Sequence, residues 1–210
     1  MITISEHTLD ESLLKDKDLK IIDLGACLGE FSSGVNEKFK IQQSILVEAN
    51  PTNFCKIKNK DNFILLNQAI VHNAEQEYVS FNEDESSPYN GSIVFDYFSE
   101  SMKVHKIKTT TLKKLINMMD LQPDELIDIL KIDIEGAEYD LLLNAEEKDL
   151  KKFKQLTIEF HDFVNPNLRA INSIIINKLT SMGFSLISSK PAHFRYGSNH
   201  YDVLLINDKK

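Results

Sequence analysis

The sequence has few cysteines, fewer basic than acidic residues and no long apolar run, and each shortage excludes a class of protein. Two cysteines, Cys27 and Cys55, in 210 residues cannot form a disulfide framework, so we expect a cytoplasmic protein in a reducing compartment. The 24 basic and 32 acidic residues give a net charge of -8, which argues against a nucleic-acid partner. No segment approaches the ~18 apolar residues of a membrane span, and residues 1–18 lack the apolar centre of a signal peptide.

Short apolar runs alternate with amphipathic segments, and 42% of the residues are hydrophobic. This alternation predicts an α/β fold with a mainly parallel sheet and helices on both faces, in one domain over residues 1–210. Phe184–Ser188 and Tyr201–Asn207 have no helix between them, so we expect an antiparallel last strand. Residues 5–18 are predicted as an amphipathic helix, and residues 74–110 as antiparallel strands joined by a long irregular loop.

The segment Leu19–Val35, LKIIDLGACLGEFSSGV, has the pattern of a buried strand that ends in a glycine turn and leads into a helix. Gly25 and Gly29 let the backbone turn sharply and approach a ligand closely. The dinucleotide fingerprint GxGxxG would fit the same place, but Asp23 holds the position of its first glycine. Because a carboxylate there repels a pyrophosphate, the turn favours a cationic ligand.

Acidic residues also follow two further predicted strands. Glu48 closes the run SILVE about 20 positions after the glycine turn, where nucleotide-binding folds present a carboxylate to ribose hydroxyls. Asp133 and Glu135 follow the strand in LIDILKIDIEG, and the carboxyl ends of parallel strands meet at one edge of a sheet. S-adenosyl-L-methionine matches this set, because it carries an ammonium, a sulfonium and a ribose but no phosphate. We therefore predict it as the cofactor.

Four segments together resemble the motif series of the FkbM-type methyltransferases, a branch of the class I S-adenosylmethionine-dependent enzymes: IIDLGACLGEFS, VEANP, VHKIKTTTLKKL and LKIDIEGAEYDLL. The resemblance spans about residues 20–162, and DIEGAE is its most specific part. It implies a Rossmann-like class I methyltransferase fold with a seven-stranded sheet and a reversed last strand. It also implies methyl transfer, usually to a hydroxyl oxygen of a sugar, glycan or other small-molecule acceptor.

The same resemblance implies roles for single residues around the cofactor. Gly25, Ala26 and Gly29 would lie under its methionine part, with Asp23 near the ammonium and Glu48 on the ribose. The other positions expected to contact the cofactor are Asn50 beside the adenosine, Gln68 and Ala69 near the adenine, Ser92 in a turn that closes over it, and Asp133.

For removal of the acceptor's proton we nominate His161, at the end of the predicted strand QLTIEFH, assisted by Asp133 or Glu135. Two alternatives stay open: His161 could be a structural strand-end residue, and Glu135 could cap the helix that follows it. The histidines show no metal-ligand spacing, so no metal is expected; Asp133, Glu159 and His161 are the side chains that could hold magnesium or manganese.

Two rival functions remain beside an O-methyltransferase. One is a non-catalytic module that binds S-adenosylmethionine without turnover. The other is a dinucleotide-dependent oxidoreductase, which Asp23 disfavours.

Overall fold

The computed structural model describes residues 1–15, 17–87, 89–94, 102–162, 167–192 and 200–208. Its strands, in chain order, are β1 (Ile2–Ile4), β2 (His7–Leu9), β3 (Leu19–Leu24), β4 (Ile41–Val47), β5 (Phe63–Leu66), β6 (Ala69–Ile70), β7 (Tyr78–Asp84), β8 (Gly91–Ser92), β9 (Met102–Thr110), β10 (Ile127–Ile132), β11 (Phe153–Phe160), β12 (Phe184–Ala192) and β13 (His200–Asn207). Its helices are α1 (Glu30–Lys38), α2 (Pro51–Phe54), α3 (Leu112–Met118), α4 (Glu138–Asn144), α5 (Glu147–Leu150) and α6 (Leu168–Ser181), and a 3₁₀ turn covers Glu11–Leu13. Among these helices none has the length and apolar character needed to cross a bilayer.

The largest sheet in the described residues has seven strands in the order β12-β13-β11-β10-β3-β4-β5. Strand β10 pairs in parallel with β11 and β3, and β4 pairs in parallel with β3 and β5. Strand β13 runs antiparallel to both β11 and β12. The predicted mainly parallel sheet with a reversed last strand is therefore confirmed.

Strands β3 and β10 are buried along their whole length because other elements cover both faces of the sheet. On one face Ile22 and Leu130 pack with residues of α3, α4, α5 and α6. On the other face Ile21 and Ile129 pack with α1 and with residues from β1 and β2. Successive side chains of a strand point to opposite faces, which is why these strands are continuous apolar runs in the sequence.

A second, four-stranded sheet follows β5 and has the order β6-β9-β7-β8. Ala69, Phe81 and Ile107 form its small apolar core. The antiparallel strands predicted over residues 74–110 are present, since β7 pairs antiparallel with both β8 and β9. The loop predicted between them is shorter than expected, because residues 82–84 belong to β7 and residues 91–92 to β8, which leaves a short turn. In that turn the Asp84 carboxylate accepts hydrogen bonds from the backbone N–H of Ser86 and from the Asn90 side chain. Most of the predicted strand SIVFDYF lies outside the described residues.

Residues 2–9 form an antiparallel hairpin of β1 and β2, so the helix predicted over residues 5–18 was wrong. Ser5 and Glu6 make the turn with φ angles of 44° and 74°. Thr8 Oγ1 donates to Asp202 Oδ2 at 2.7 Å, which attaches β2 to the large sheet. Long-range pairing of this kind overrides a local helical spacing of leucines. The hairpin thereby reaches the edge of the sheet at which the predicted site residues lie.

Candidate functional site

The loop after β3 has the backbone geometry that the sequence pattern predicts. Gly25 and Gly29 have φ angles of +74° and +78°, a region that L-residues with a side chain rarely adopt. The N–H groups of Gly25 and Ala26 both donate to the Val47 carbonyl, at 2.9 and 3.0 Å. A Cβ atom at Gly25 would lie 1.7 Å from the Asp133 carbonyl oxygen. The loop therefore passes directly against the end of β10, which only glycine permits.

Glu48 lies at the end of β4 with its carboxylate held by two backbone N–H groups. Oε2 accepts from Cys27 at 2.6 Å and Oε1 accepts from Asn50 at 2.7 Å. Burial raises the pKa of Glu48 to about 7, although these two hydrogen bonds oppose the change. Each carboxylate oxygen keeps a further lone pair for a hydroxyl donor. The acid expected to bind ribose is thus oriented beside the glycine loop and titrates near neutral pH.

Asp23 is fully buried on β3 and forms part of a charged cluster with Lys131 of β10. Its Oδ2 accepts from Ser32 Oγ at 2.8 Å, and its Oδ1 lies 3.4 Å from Lys131 Nζ. Within the described residues Oδ1 has no hydrogen-bond donor. The Lys131 ammonium is therefore the positive charge that offsets this buried carboxylate oxygen.

Asp133, just past the end of β10, contacts positive or protonatable groups on three sides. Its Oδ2 lies 3.3 Å from Lys131 Nζ and 3.6 Å from His7 Nε2, and its Oδ1 lies 3.5 Å from His161 Nε2. Burial would raise the pKa of Asp133, but Lys131, His7 and His161 outweigh it and hold that pKa well below its usual range. Asp133 is therefore a permanent negative charge between the glycine loop and His161.

His161 follows β11 and is held by Glu138 of α4. Glu138 Oε1 accepts from the backbone N–H of His161 at 3.0 Å and lies 3.1 Å from Nδ1. Since a carboxylate can only accept there, Nδ1 carries the hydrogen and Nε2 is directed to Asp133 and Glu135, at 3.5 Å from each. Burial lowers the pKa of His161, but Glu135, Glu138 and Glu159 raise it well above the usual value.

Glu135 occupies a left-handed backbone conformation, with φ of +51°. Such a conformation is uncommon for a residue with a long side chain and is concentrated at functional sites. It turns the chain so that the Glu135 carboxylate lies 3.5 Å from His161 Nε2. All three side chains nominated for proton transfer therefore lie together at the carboxyl edge of the sheet.

The remaining predicted cofactor contacts lie around the same edge but differ in their surroundings. The Asn50 side chain caps α2 by accepting from the N–H groups of Thr52 and Asn53. Gln68 is half-buried between β5 and β6, whereas the methyl group of Ala69 belongs to the apolar core of the second sheet. Ser92 Oγ donates to the Glu135 carbonyl at 2.5 Å, which fastens the second sheet over the end of β10.

Three side chains of this site were missed by sequence reasoning: Lys131, Glu138 and His7. Lys131, between Leu130 and Ile132 in a strand predicted to be buried, was a usable signal, since a charged side chain is almost never buried without a partner. Glu138 is the last residue of the DIEGAE motif, but the motif does not indicate its partner, and His7 gave no comparable signal. Their partners, His161 and Asp133, are remote in sequence or on another element.

Two overlapping groups offer metal-ligand atoms within 4.8 Å of one another: His7 with Asp133 and Glu159, and Asp133 with Glu135 and His161. Carboxylate oxygens and imidazole nitrogens are ligands that divalent cations accept. Here the Lys131 ammonium, 3.3 Å from Asp133 Oδ2, already supplies a positive charge. The shared carboxylate is therefore neutralised by the chain itself.

Comparison with known proteins gives a consistent family and fold. The family model for the methyltransferase FkbM domain matches residues 23–186. A methyltransferase FkbM from Methylobacillus flagellatus KT has a TM-score of 0.53 at 16% identity, over 90% of this chain and 43% of that one. TrmK from M. capricolum, solved with S-adenosylhomocysteine, has a TM-score of 0.51 at 11% identity, over 97% and 70% of the two chains. These similarities show a class I methyltransferase-like fold.

One curated relative shares a short segment. The AMB antimetabolite synthetase AmbE of Pseudomonas aeruginosa is 37% identical over 60 residues, which are 29% of this chain and 3% of AmbE. This chain therefore spans a small fraction of AmbE and less than half of the similar FkbM structure.

Proposed function

This chain belongs to the FkbM methyltransferase family, and from that premise we propose that it transfers a methyl group from S-adenosylmethionine to a hydroxyl oxygen of a sugar, glycan or other small molecule. The observation that carries the proposal is the placement of Glu48, whose carboxylate is fixed by the N–H groups of Cys27 and Asn50 beside the glycine loop. A ribose hydroxyl can donate to such a carboxylate. Asp23 at the start of the loop disfavours a pyrophosphate there, because its carboxylate would repel it.

Asp23, Glu48 and the loop from Gly25 to Gly29 are the residues that would hold the cofactor. Their chemistry fits its polar groups, because buried carboxylates accept from an ammonium and from ribose hydroxyls. When bound, S-adenosylmethionine supplies a methyl group activated by the sulfonium. The chain has to align the acceptor oxygen with that methyl group and accept the proton that the oxygen loses.

We assign proton removal to His161, with Asp133 and Glu135 as the groups that orient it. Nδ1 is held by Glu138, so Nε2 is the atom that would accept a proton. At neutral pH the raised pKa of His161 keeps the ring protonated, because the carboxylates of Glu135, Glu138 and Glu159 outweigh the effect of burial. Turnover should therefore increase as the pH rises through that pKa.

We propose one domain over residues 1–210, because the hairpin, both sheets and the helices all place side chains at this edge. His7 comes from β2, Ser92 from the second sheet and Glu138 from α4. All three contact residues 133–161 directly.

Calorimetry with S-adenosylmethionine, S-adenosylhomocysteine and NAD tests the cofactor. We expect binding of the first two and no response to NAD. Binding of NAD alone would overturn the proposal in favour of an oxidoreductase. Acceptor profiling with methyl-labelled S-adenosylmethionine then separates an enzyme, which yields labelled product, from a module that only binds.

The affinity for S-adenosylmethionine should depend on pH through Glu48. Only the ionised carboxylate accepts from both ribose hydroxyls, and its pKa of about 7 means that it protonates as the pH falls below neutral. We expect the dissociation constant to rise about tenfold from pH 8 to pH 6. Lys131, Asp133 and the Cys27 thiol are the other titratable groups that act on Glu48.

Glu48→Gln should remove this pH dependence and weaken binding at pH 8 by about 1–3 kcal/mol, the usual cost of a lost hydrogen bond to a charged group. Glu37→Gln is the matched control, because Glu37 is exposed on α1. Isothermal titration at pH 6, 7 and 8 measures both variants. A flat pH profile for the unchanged protein, with unchanged affinity in Glu48→Gln, would place the ribose elsewhere.

A further inference from the structure

The geometry points to Lys131 as the positioning residue of this site: we propose that its ammonium ties the glycine loop to Asp133, so that the cofactor loop and the proton-accepting group keep one fixed arrangement. The inference rests on the proposed function for what the two halves do. It assigns a role to a residue through its contacts with the loop backbone and with two carboxylates of the chain.

The Lys131 ammonium makes contacts with both halves of the site. Nζ donates to the carbonyl oxygens of Leu24 and Gly25, at 3.3 and 2.5 Å. It also lies 3.4 Å from Asp23 Oδ1 and 3.3 Å from Asp133 Oδ2. One cation therefore joins the backbone of the loop to the carboxylates before and after it.

The register of the sheet explains why these groups meet. Lys131 is paired with Asp23 across the parallel β10 and β3 strands, so their side chains project from the same face. Asp133 follows two residues later and belongs to the same face of the chain. The two acids and the lysine are thus brought together by strand pairing.

Burial of a lysine is costly, and this one is nevertheless kept charged. Its side chain is 4% exposed. Burial would lower the pKa of Lys131, but the carboxylates of Asp133 and Asp23 outweigh that effect and raise it. An apolar side chain in the same space would leave the carboxylates of Asp23 and Asp133 without this positive charge, so the ammonium itself stabilises them here.

The ammonium also sets the charge that His161 experiences. Asp133 uses Oδ2 toward Lys131 and Oδ1 toward His161. Without the lysine, the full negative charge of Asp133 would act on the His161 ring and stabilise the ring's protonated form. The other groups that act on His161, namely Glu135, Glu138 and Glu159, would remain. Lys131 therefore holds the loop in place and keeps the pKa of His161 lower than it would otherwise be.

Lys131→Met tests the proposal, with Lys20→Met as the matched control. Lys20 is also a buried lysine, 2% exposed, but it pairs with Glu125 at the amino end of β3. Both variants lose a buried ammonium that pairs with a carboxylate, and both should be less stable in thermal unfolding. We expect only Lys131→Met to weaken S-adenosylmethionine binding, by at least tenfold. We expect only Lys131→Met to move the NMR titration of His161 in the cofactor-free protein upward, by about one pH unit.

A double variant keeps the test decisive if Lys131→Met does not fold. Lys131→Met with Asp23→Asn removes both members of one buried pair, which is less destabilising than removing one. The upward shift of the His161 titration should persist in it. A His161 titration equal to that of the unchanged protein, in either variant, would overturn the proposal and leave Lys131 a purely structural residue.

The outcomes separate this inference from the proposed function. Failure of the unchanged protein to bind S-adenosylmethionine would end the proposed function. The His161 titration needs no cofactor, so it would still decide whether Lys131 acts on the Asp133–His161 pair. An unshifted titration in a protein that does bind the cofactor would end the inference alone.

Discussion

Gly25→Ala is expected to weaken S-adenosylmethionine binding by at least about a hundredfold. This is the largest loss of affinity that we expect from adding one methyl group to this site. The new Cβ would lie 1.7 Å from the Asp133 carbonyl oxygen and 2.8 Å from its carbonyl carbon. Both atoms belong to the backbone at the end of β10 and cannot rotate away. Either the loop or the strand end has to move, and each carries groups proposed to hold the cofactor. Misplacement of about 1 Å is enough for a loss of this size.

Two other glycines provide controls for Gly25→Ala in the same calorimetric titration. Gly183 has φ of +90°, but a Cβ atom there would meet no atom of the described residues within 4 Å. Gly183→Ala should cost about 1 kcal/mol of stability for the left-handed backbone and leave cofactor affinity unchanged. At Gly29 a Cβ would meet an Ile57 methyl group at 3.0 Å, which can shift, so Gly29→Ala should lose less affinity than Gly25→Ala. Equal affinity in Gly25→Ala and Gly183→Ala would contradict a cofactor site at this loop.

His161→Ala should lower kcat by about two to four powers of ten and change S-adenosylmethionine affinity by no more than a few fold. The expected size is that of losing a positioned base. The two parameters should separate because His161 lies among Asp133, Glu135 and Glu138, whereas Glu48 and the glycine loop are the groups proposed to hold the cofactor. In the unchanged protein, kcat should rise with pH through the raised pKa of His161. That rise should disappear from the residual activity of the variant. Single-turnover kinetics across pH with labelled cofactor measure both effects.

His161→Ala also leaves Glu138 buried without its imidazole partner, and this loss by itself lowers the stability of the fold. His161→Gln retains a side-chain N–H that can donate to Glu138, and it should therefore fold better while losing the same activity. His72→Ala is the control for loss of a histidine, because His72 is exposed and pairs with Asp140 away from the site. If His161→Ala and His161→Gln keep the turnover of the unchanged protein, His161 is structural and Glu135 becomes the candidate base.

The sequence alone predicted the large sheet and the position of the glycine loop. Strands β3 and β10 are buried on both faces, so each is a short uninterrupted apolar run that can be recognised without knowledge of its neighbours. Gly25 and Gly29 mark the turn because the backbone there has positive φ. Glu48, Asp133 and Glu135 could be placed at one edge because the carboxyl ends of parallel strands always meet there.

The charged contacts of the site were decided by the tertiary structure. Lys131 meets Asp23 because β10 pairs with β3 in one particular register, and shifting that register by one residue would turn the lysine to the opposite face. His7 reaches Asp133 only because residues 2–9 pair as a hairpin, and Glu138 reaches His161 from a different element. These contacts depend on pairing between segments far apart in the chain. A local pattern of apolar and polar residues specifies which face of a strand is buried, but it does not specify which distant side chain will lie opposite.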